Sequence, residues 1–106
     1  MPANFKHIQH LADEDVKKLR KAEESYGDSW RSRGGVGAYM MLARKWDRIE
    51  NQVKHDGYNV FDTIKRDLSD SGILDDIRDL RRYLLLVESH LVFENYMETL
   101  EKREAI

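Results

Sequence analysis

The stretch GILDDIRDLRRYLLLVESHL, residues 72–91, decides the fold. Ile73, Ile77, Leu80, Leu84, Val87 and Leu91 recur at intervals of three and four residues, which draws one apolar stripe along a helix. Leu74, Leu85 and Val92 draw a second line, roughly 100° further round. A helix that is apolar on two sides is buried on two sides. In so small a chain the second side is expected to be a subunit interface, in a homodimer or homotetramer. Beyond Leu91 the apolar residues Phe93, Tyr96 and Leu100 move to another face. The helix therefore either breaks near Ser89 or packs its end on a different partner.

Working outward, the chain reads as four helices. The first is expected over 14–26, with Asp13 as N-cap, acidic residues at the positive end of the helix dipole and Gly27 as the stop. The segment GDSWRSRGG, 27–35, reads as a loop. The second helix is expected over 36–54, where Leu42, Trp46, Ile49 and Val53 form a narrow stripe, and HDGYN ends it with turn chemistry. A short third helix over 60–68 is closed by SDSG, and the fourth starts near Ile73 and runs past Glu98. The only proline is Pro2, so nothing downstream interrupts a helix, and only YNVF offers a short strand signal.

The 106 residues make one all-α domain, 1–106, a bundle built on two antiparallel helices and a long C-terminal helix. A net charge of -2 gives no reason to expect direct nucleic-acid binding. There is no cysteine, so disulfides and thiolate metal sites are excluded. The longest apolar run, YLLLV, is far too short to span a bilayer, and the N-terminus lacks a signal-peptide core. A cytoplasmic protein with no membrane contact is expected.

Projected at 100° per residue, the aspartates of 72–91 are not equivalent. Asp76 and Asp79 lie on one flank of the main stripe, whereas Asp75 points to the back and reads as a solvated residue at the start of the helix. On the second helix Asp47 and Glu50 repeat the spacing of three, on one flank of its stripe. If the helices pack stripe to stripe and antiparallel, four carboxylates meet. Such a group repels itself unless a cation sits within it, and oxygen-only ligands favour Mg²⁺ or Mn²⁺. The plainer reading is that charged residues flank every amphipathic stripe.

Asp47-x-x-Glu50, followed after 25 residues by Asp76-x-x-Asp79, resembles the paired acidic motifs of the MazG-like all-α nucleoside triphosphate pyrophosphatases. YGDSWRSRGGVGAYMMLARKWDRIEN and GILDDIRDLRRYLLLVE are closer still to the first type of nucleotide modification associated domain, found mostly in phages and prophages. The resemblance covers about 24–91. It implies a MazG-like fold in which Asp47, Glu50, Asp76 and Asp79 are both metal ligands and catalytic residues. It also implies release of pyrophosphate from a free or modified nucleoside triphosphate in the presence of Mg²⁺, in the host cytoplasm if the chain is phage-encoded. Asp47 and Asp76 stand where those enzymes prefer Glu, which speaks for a first alternative, a nucleotide-binding or sponge protein without chemistry. A structural or interaction bundle is the second alternative.

Lys45, Arg78 and Arg82 stand near the pairs and are candidates for phosphate contact. By projection Arg78 and Arg82 point away from the acidic flank, which leaves Lys45 as the candidate within the subunit; the arginines serve a neighbouring subunit or solvent. In the 27–35 loop Trp30 is a candidate to stack on a base. Arg33 and the backbone N–H groups that follow it are candidates to hold a phosphate, although no phosphate-loop spacing is present. Glu23 shares a face with Val16 and Leu19 and is either a fifth acidic ligand or a side chain that reaches to the surface. His90 lies too far along its helix from Asp79 to share a metal. The run ADEDVKKLRKAEES reads as a solvated charged face.

Overall fold

The computed structural model describes residues 2–67 and 72–104, and every regular element among them is helical. The helices are α1 (Phe5–Tyr26), α2 (Gly34–Lys54), α3 (Val60–Arg66) and α4 (Ile73–Glu104), with one 3-10 turn at Ser29–Arg31 inside the α1–α2 loop. The all-α bundle with a long C-terminal helix is as expected.

α1 starts nine residues before the expected position. Asn4, not Asp13, caps it, accepting a hydrogen bond from the His7 N–H at 3.1 Å. Asp13 instead accepts from the Gln9 side chain one turn back. At the other end Gly27 takes φ 58, a conformation that costs a glycine little, and its N–H closes the helix on the Glu23 carbonyl. α4 does not break near Ser89: it is one helix of 32 residues, about 48 Å long at 1.5 Å per residue. α3 ends at Arg66, short of the expected 68; Leu68 and the first three residues of the SDSG stop lie outside the described residues.

α3 is clamped to the end of α2. The Asp56 carboxylate accepts from the Thr63 hydroxyl at 2.8 Å and from the Arg66 guanidinium at 3.0 Å. These bonds, Arg66 first and Thr63 second, hold the Asp56 carboxyl below its ordinary range. Asn59 caps α3, accepting from the N–H groups of Phe61 and Asp62. Asn59→Ala is expected to cost about 1 kcal/mol of stability, measured by urea unfolding, because two N–H groups lose their partner.

α2 and α4 form the main packing pair. Lys45 meets Asp79 while Arg48 and Gln52 meet Asp76, so rising number on α2 matches falling number on α4 and the two helices are antiparallel. Ile49 and Ile73 are the only apolar residues buried at this contact among the described residues. Leu42, Val53, Ile77 and Leu80 are half-buried, and Trp46, expected in the same stripe, is 56% exposed. The radius of gyration is 17.2 Å, against about 13 Å for a compact domain of this length. No helix among the described residues is long and apolar enough to cross a membrane.

Candidate functional site

The acidic flank of α4 faces α2 as expected, but it meets cations there. The Asp76 carboxylate, 1% exposed, accepts from Arg48 Nε at 2.7 Å and from Gln52 Nε2 at 2.7 Å. Asp79 accepts from Lys45 Nζ at 2.9 Å. On the α2 wheel Lys45, Arg48 and Gln52 share one flank of the Ile49 stripe, whereas Asp47 and Glu50 lie on the other. α2 turns its basic flank, not its acidic one, towards Asp76 and Asp79. Asp47 is exposed, Glu50 is half-buried, and neither makes a side-chain hydrogen bond or ion pair among the described residues.

This corrects the expected convergence of four carboxylates. Among the described residues no group of three or more His, Asp or Glu stands close enough to hold a metal ion. A divalent ion needs several oxygen ligands facing one point, whereas here the cationic groups of Lys45 and Arg48 already neutralise the two α4 carboxylates. In this arrangement the donor set does not fit Mg²⁺ or Mn²⁺. Asp75 is half-buried at the start of α4.

Several of the other candidates do come together. A cavity of about 420 Å³ opens between α1, the 27–30 turn and α4, with Met41 of α2 at one wall. Glu23, Trp30, Asp79, Arg82 and Tyr83 line it. Lys18 and Arg20 add positive charge at the α1 side, and Tyr26 adds a third aromatic ring. Arg82 therefore lines this cavity and is 20% exposed, not turned to solvent. Lys45 is tied to Asp79 and lies outside the cavity lining. Arg33 is an exposed residue at the N-cap of α2 and does not line the cavity either.

Two anchoring clusters hold this cavity, and sequence reasoning missed both. Asp15 sits on the helix that read as a solvated face, yet it is 1% exposed. Arg81 grips both its oxygens, at 2.6 and 2.7 Å, and Arg82 Nε adds a bond at 2.8 Å. The Arg81 hydrogen bonds hold the Asp15 carboxyl below its ordinary 3.8; burial opposes them, and Arg82 adds to them. Asp15 pins α1 to α4 and aims Arg82 along the cavity wall. The second cluster fixes the loop. Arg31 donates to His90 Nδ1 at 3.0 Å, and Trp30 stands edge-on to the His90 ring at 5.8 Å. An arginine only donates, so Nδ1 accepts and the ring proton sits on Nε2, 3.3 Å from Glu94. The one signal for these contacts in the sequence was the oddity of Trp30 and two arginines inside a short loop.

Compared with known proteins, the chain matches no family model, no curated protein and no solved structure.

Proposed function

We propose that the chain is a cytoplasmic nucleotide-binding protein whose site is the cavity between α1, the 27–30 turn and α4. The observation that supports this reading is the gathering of Trp30, Tyr83 and Arg82 around one space of about 420 Å³. That volume suits a small ligand. Aromatic faces take a base, and the guanidinium of Arg82, with Lys18 and Arg20 nearby, takes phosphate oxygens. Met41 and Leu86 supply apolar wall.

The resemblance at 24–91 extends this reading to Mg²⁺-dependent pyrophosphohydrolysis of a nucleoside triphosphate in a phage setting. Asp76 and Asp79 are engaged by Arg48 and Lys45, which leaves neither carboxylate free for a hydrolytic step. Binding without hydrolysis is the function this geometry favours.

The test is a thermal-shift screen of nucleoside mono- and triphosphates with Mg²⁺, with Mn²⁺ and with EDTA, run beside a pyrophosphate-release assay. Triphosphates are expected to raise the melting temperature equally in Mg²⁺ and EDTA, without pyrophosphate release. A ligand at 100 times its Kd stabilises by about 2.7 kcal/mol, and Trp30→Ala is expected to remove most of that gain. No shift with any nucleotide would leave only a structural bundle. Pyrophosphate release that requires Mg²⁺ would restore the hydrolase reading.

A further inference from the structure

The outer face of α4 carries a continuous apolar groove that the described residues leave open. One part lies between Trp46 and Ile49 of α2 and Ile77, Leu80 and Leu84 of α4. The next part is lined by Val92, Phe93 and Tyr96, and the two share Leu85 and Glu88. Trp46, Val92 and Tyr96 on this face are 56%, 63% and 59% exposed. We propose that this groove is filled by α4 of a second copy, antiparallel, about a twofold axis near Leu84 and Leu85.

The core argues for a second copy over an occasional partner. Ile49 and Ile73 alone are buried apolar residues among those described, too little to hold a chain with 41% hydrophobic residues. Whatever completes the core has to be present whenever the chain is folded, and a second copy always is. The open face is large enough. Its exposed aromatic and aliphatic side chains offer roughly 600 Å² per copy, or about 1,200 Å² between two, the lower bound of stable interfaces.

Charge selects the direction and the register. The groove holds one charged residue of each sign, Arg81 and Glu88. Arg81 spends Nε and one terminal nitrogen on Asp15, which leaves its other terminal nitrogen free to donate. Glu88 is exposed and makes no hydrogen bond or ion pair among the described residues. An antiparallel pair centred between 84 and 85 sets Arg81 opposite Glu88 of the second copy, twice, and Ile77 opposite Val92. A parallel pair sets Glu88 beside Glu88 and Arg81 beside Arg81. The antiparallel pairing therefore gives each of these two groove charges a partner of opposite sign.

The chain has no cysteine, so a single introduced one reports the geometry without interference. Wild type is expected to sediment at twice its 12.6 kDa mass. On mild oxidation, Leu85→Cys is expected to give a disulfide-linked dimer in high yield. Tyr96→Cys is expected to stay reduced, because two copies of residue 96 would lie about 34 Å apart along the antiparallel pair. Both positions are exposed in the single chain, so neither change disturbs the packing within one copy. A folded monomer in sedimentation overturns the proposal. A dimer in which both variants cross-link, or neither does, overturns the antiparallel register.

Discussion

Asp15→Ala is expected to cost about 3 kcal/mol. The carboxylate is 1% exposed and collects three hydrogen bonds from Arg81 and Arg82. Without it, two neighbouring guanidinium groups face each other and α1 loses its ionic tie to α4. The value sits at the low end for a broken buried pair because Arg81 and Arg82 remain 33% and 20% exposed and keep part of their hydration. At roughly 4–8 °C per kcal/mol for a domain of this size, calorimetry would register a fall in melting temperature of about 12 °C or more. Asp13→Ala is the control: Asp13 is exposed, bonds only to Gln9 among the described residues, and its loss is expected to cost no more than about 0.5 kcal/mol. The same bonds set a pH dependence. The folded Asp15 carboxyl lies below its ordinary 3.8, so its contribution is complete above that value and is lost as pH falls through the lowered folded value. Urea midpoints taken from pH 6 downward are expected to fall less steeply in Asp15→Ala than in wild type. An Asp15→Ala protein as stable as wild type would show that α1 is held by something other than this cluster.

α4 was legible because one period runs unbroken from Ile73 to Leu91 with no proline or glycine inside it. α2 was legible from its stripe of Leu42, Trp46, Ile49 and Val53, while its start at Gly34, two residues before the expected 36, lies in a glycine-rich turn without a stripe. The first nine residues of α1 were not, and the structure shows why: residues 5–13 are exposed except for half-buried Leu11. A helix turn that packs on nothing needs no apolar stripe, so periodicity has nothing to register; only Asn4 signalled the true start. The burial of Asp15 was hidden differently. On paper it is one acidic residue among many on a charged helix, and only the return of α4 brings Arg81 and Arg82 to it. The site shows a third kind of failure. Helical projection placed Asp76 and Asp79 on the flank that α2 covers. An apolar stripe has two flanks, however, and its period is the same seen from either. Which flank of α2 turns inward depends on how the two helices roll against each other. The roll that forms brings Lys45, Arg48 and Gln52 to the aspartates and leaves Asp47 in water.

That roll makes Asp76→Asn the decisive substitution for the metal question. In the arrangement described, Asp76 is a structural acceptor at the first turn of α4, where the helix dipole also favours a negative charge. An asparagine keeps one oxygen for Arg48, but its amide nitrogen then faces the Gln52 amide nitrogen, donor against donor. Rotating the Gln52 amide would relieve that clash only by giving up its bond to the Arg48 carbonyl. The expected loss is about 2 kcal/mol, since a buried donor goes unpaired and Arg48 loses its counter-charge. Arg48 is well exposed, which keeps the figure below that for Asp15. The loss is expected to be the same in EDTA and in millimolar Mg²⁺, and Asp47→Asn, at an exposed site without partners among the described residues, is expected to change nothing in either. A metal site predicts the opposite pattern: Mg²⁺ would stabilise wild type, and Asp47→Asn, Glu50→Gln, Asp76→Asn and Asp79→Asn would each abolish that gain. Urea unfolding of these four variants, with and without the ion, therefore separates a helix pair cemented by Lys45 and Arg48 from one that re-forms around a divalent cation. Only the second outcome would move α2 by the roll that brings Asp47 and Glu50 inward.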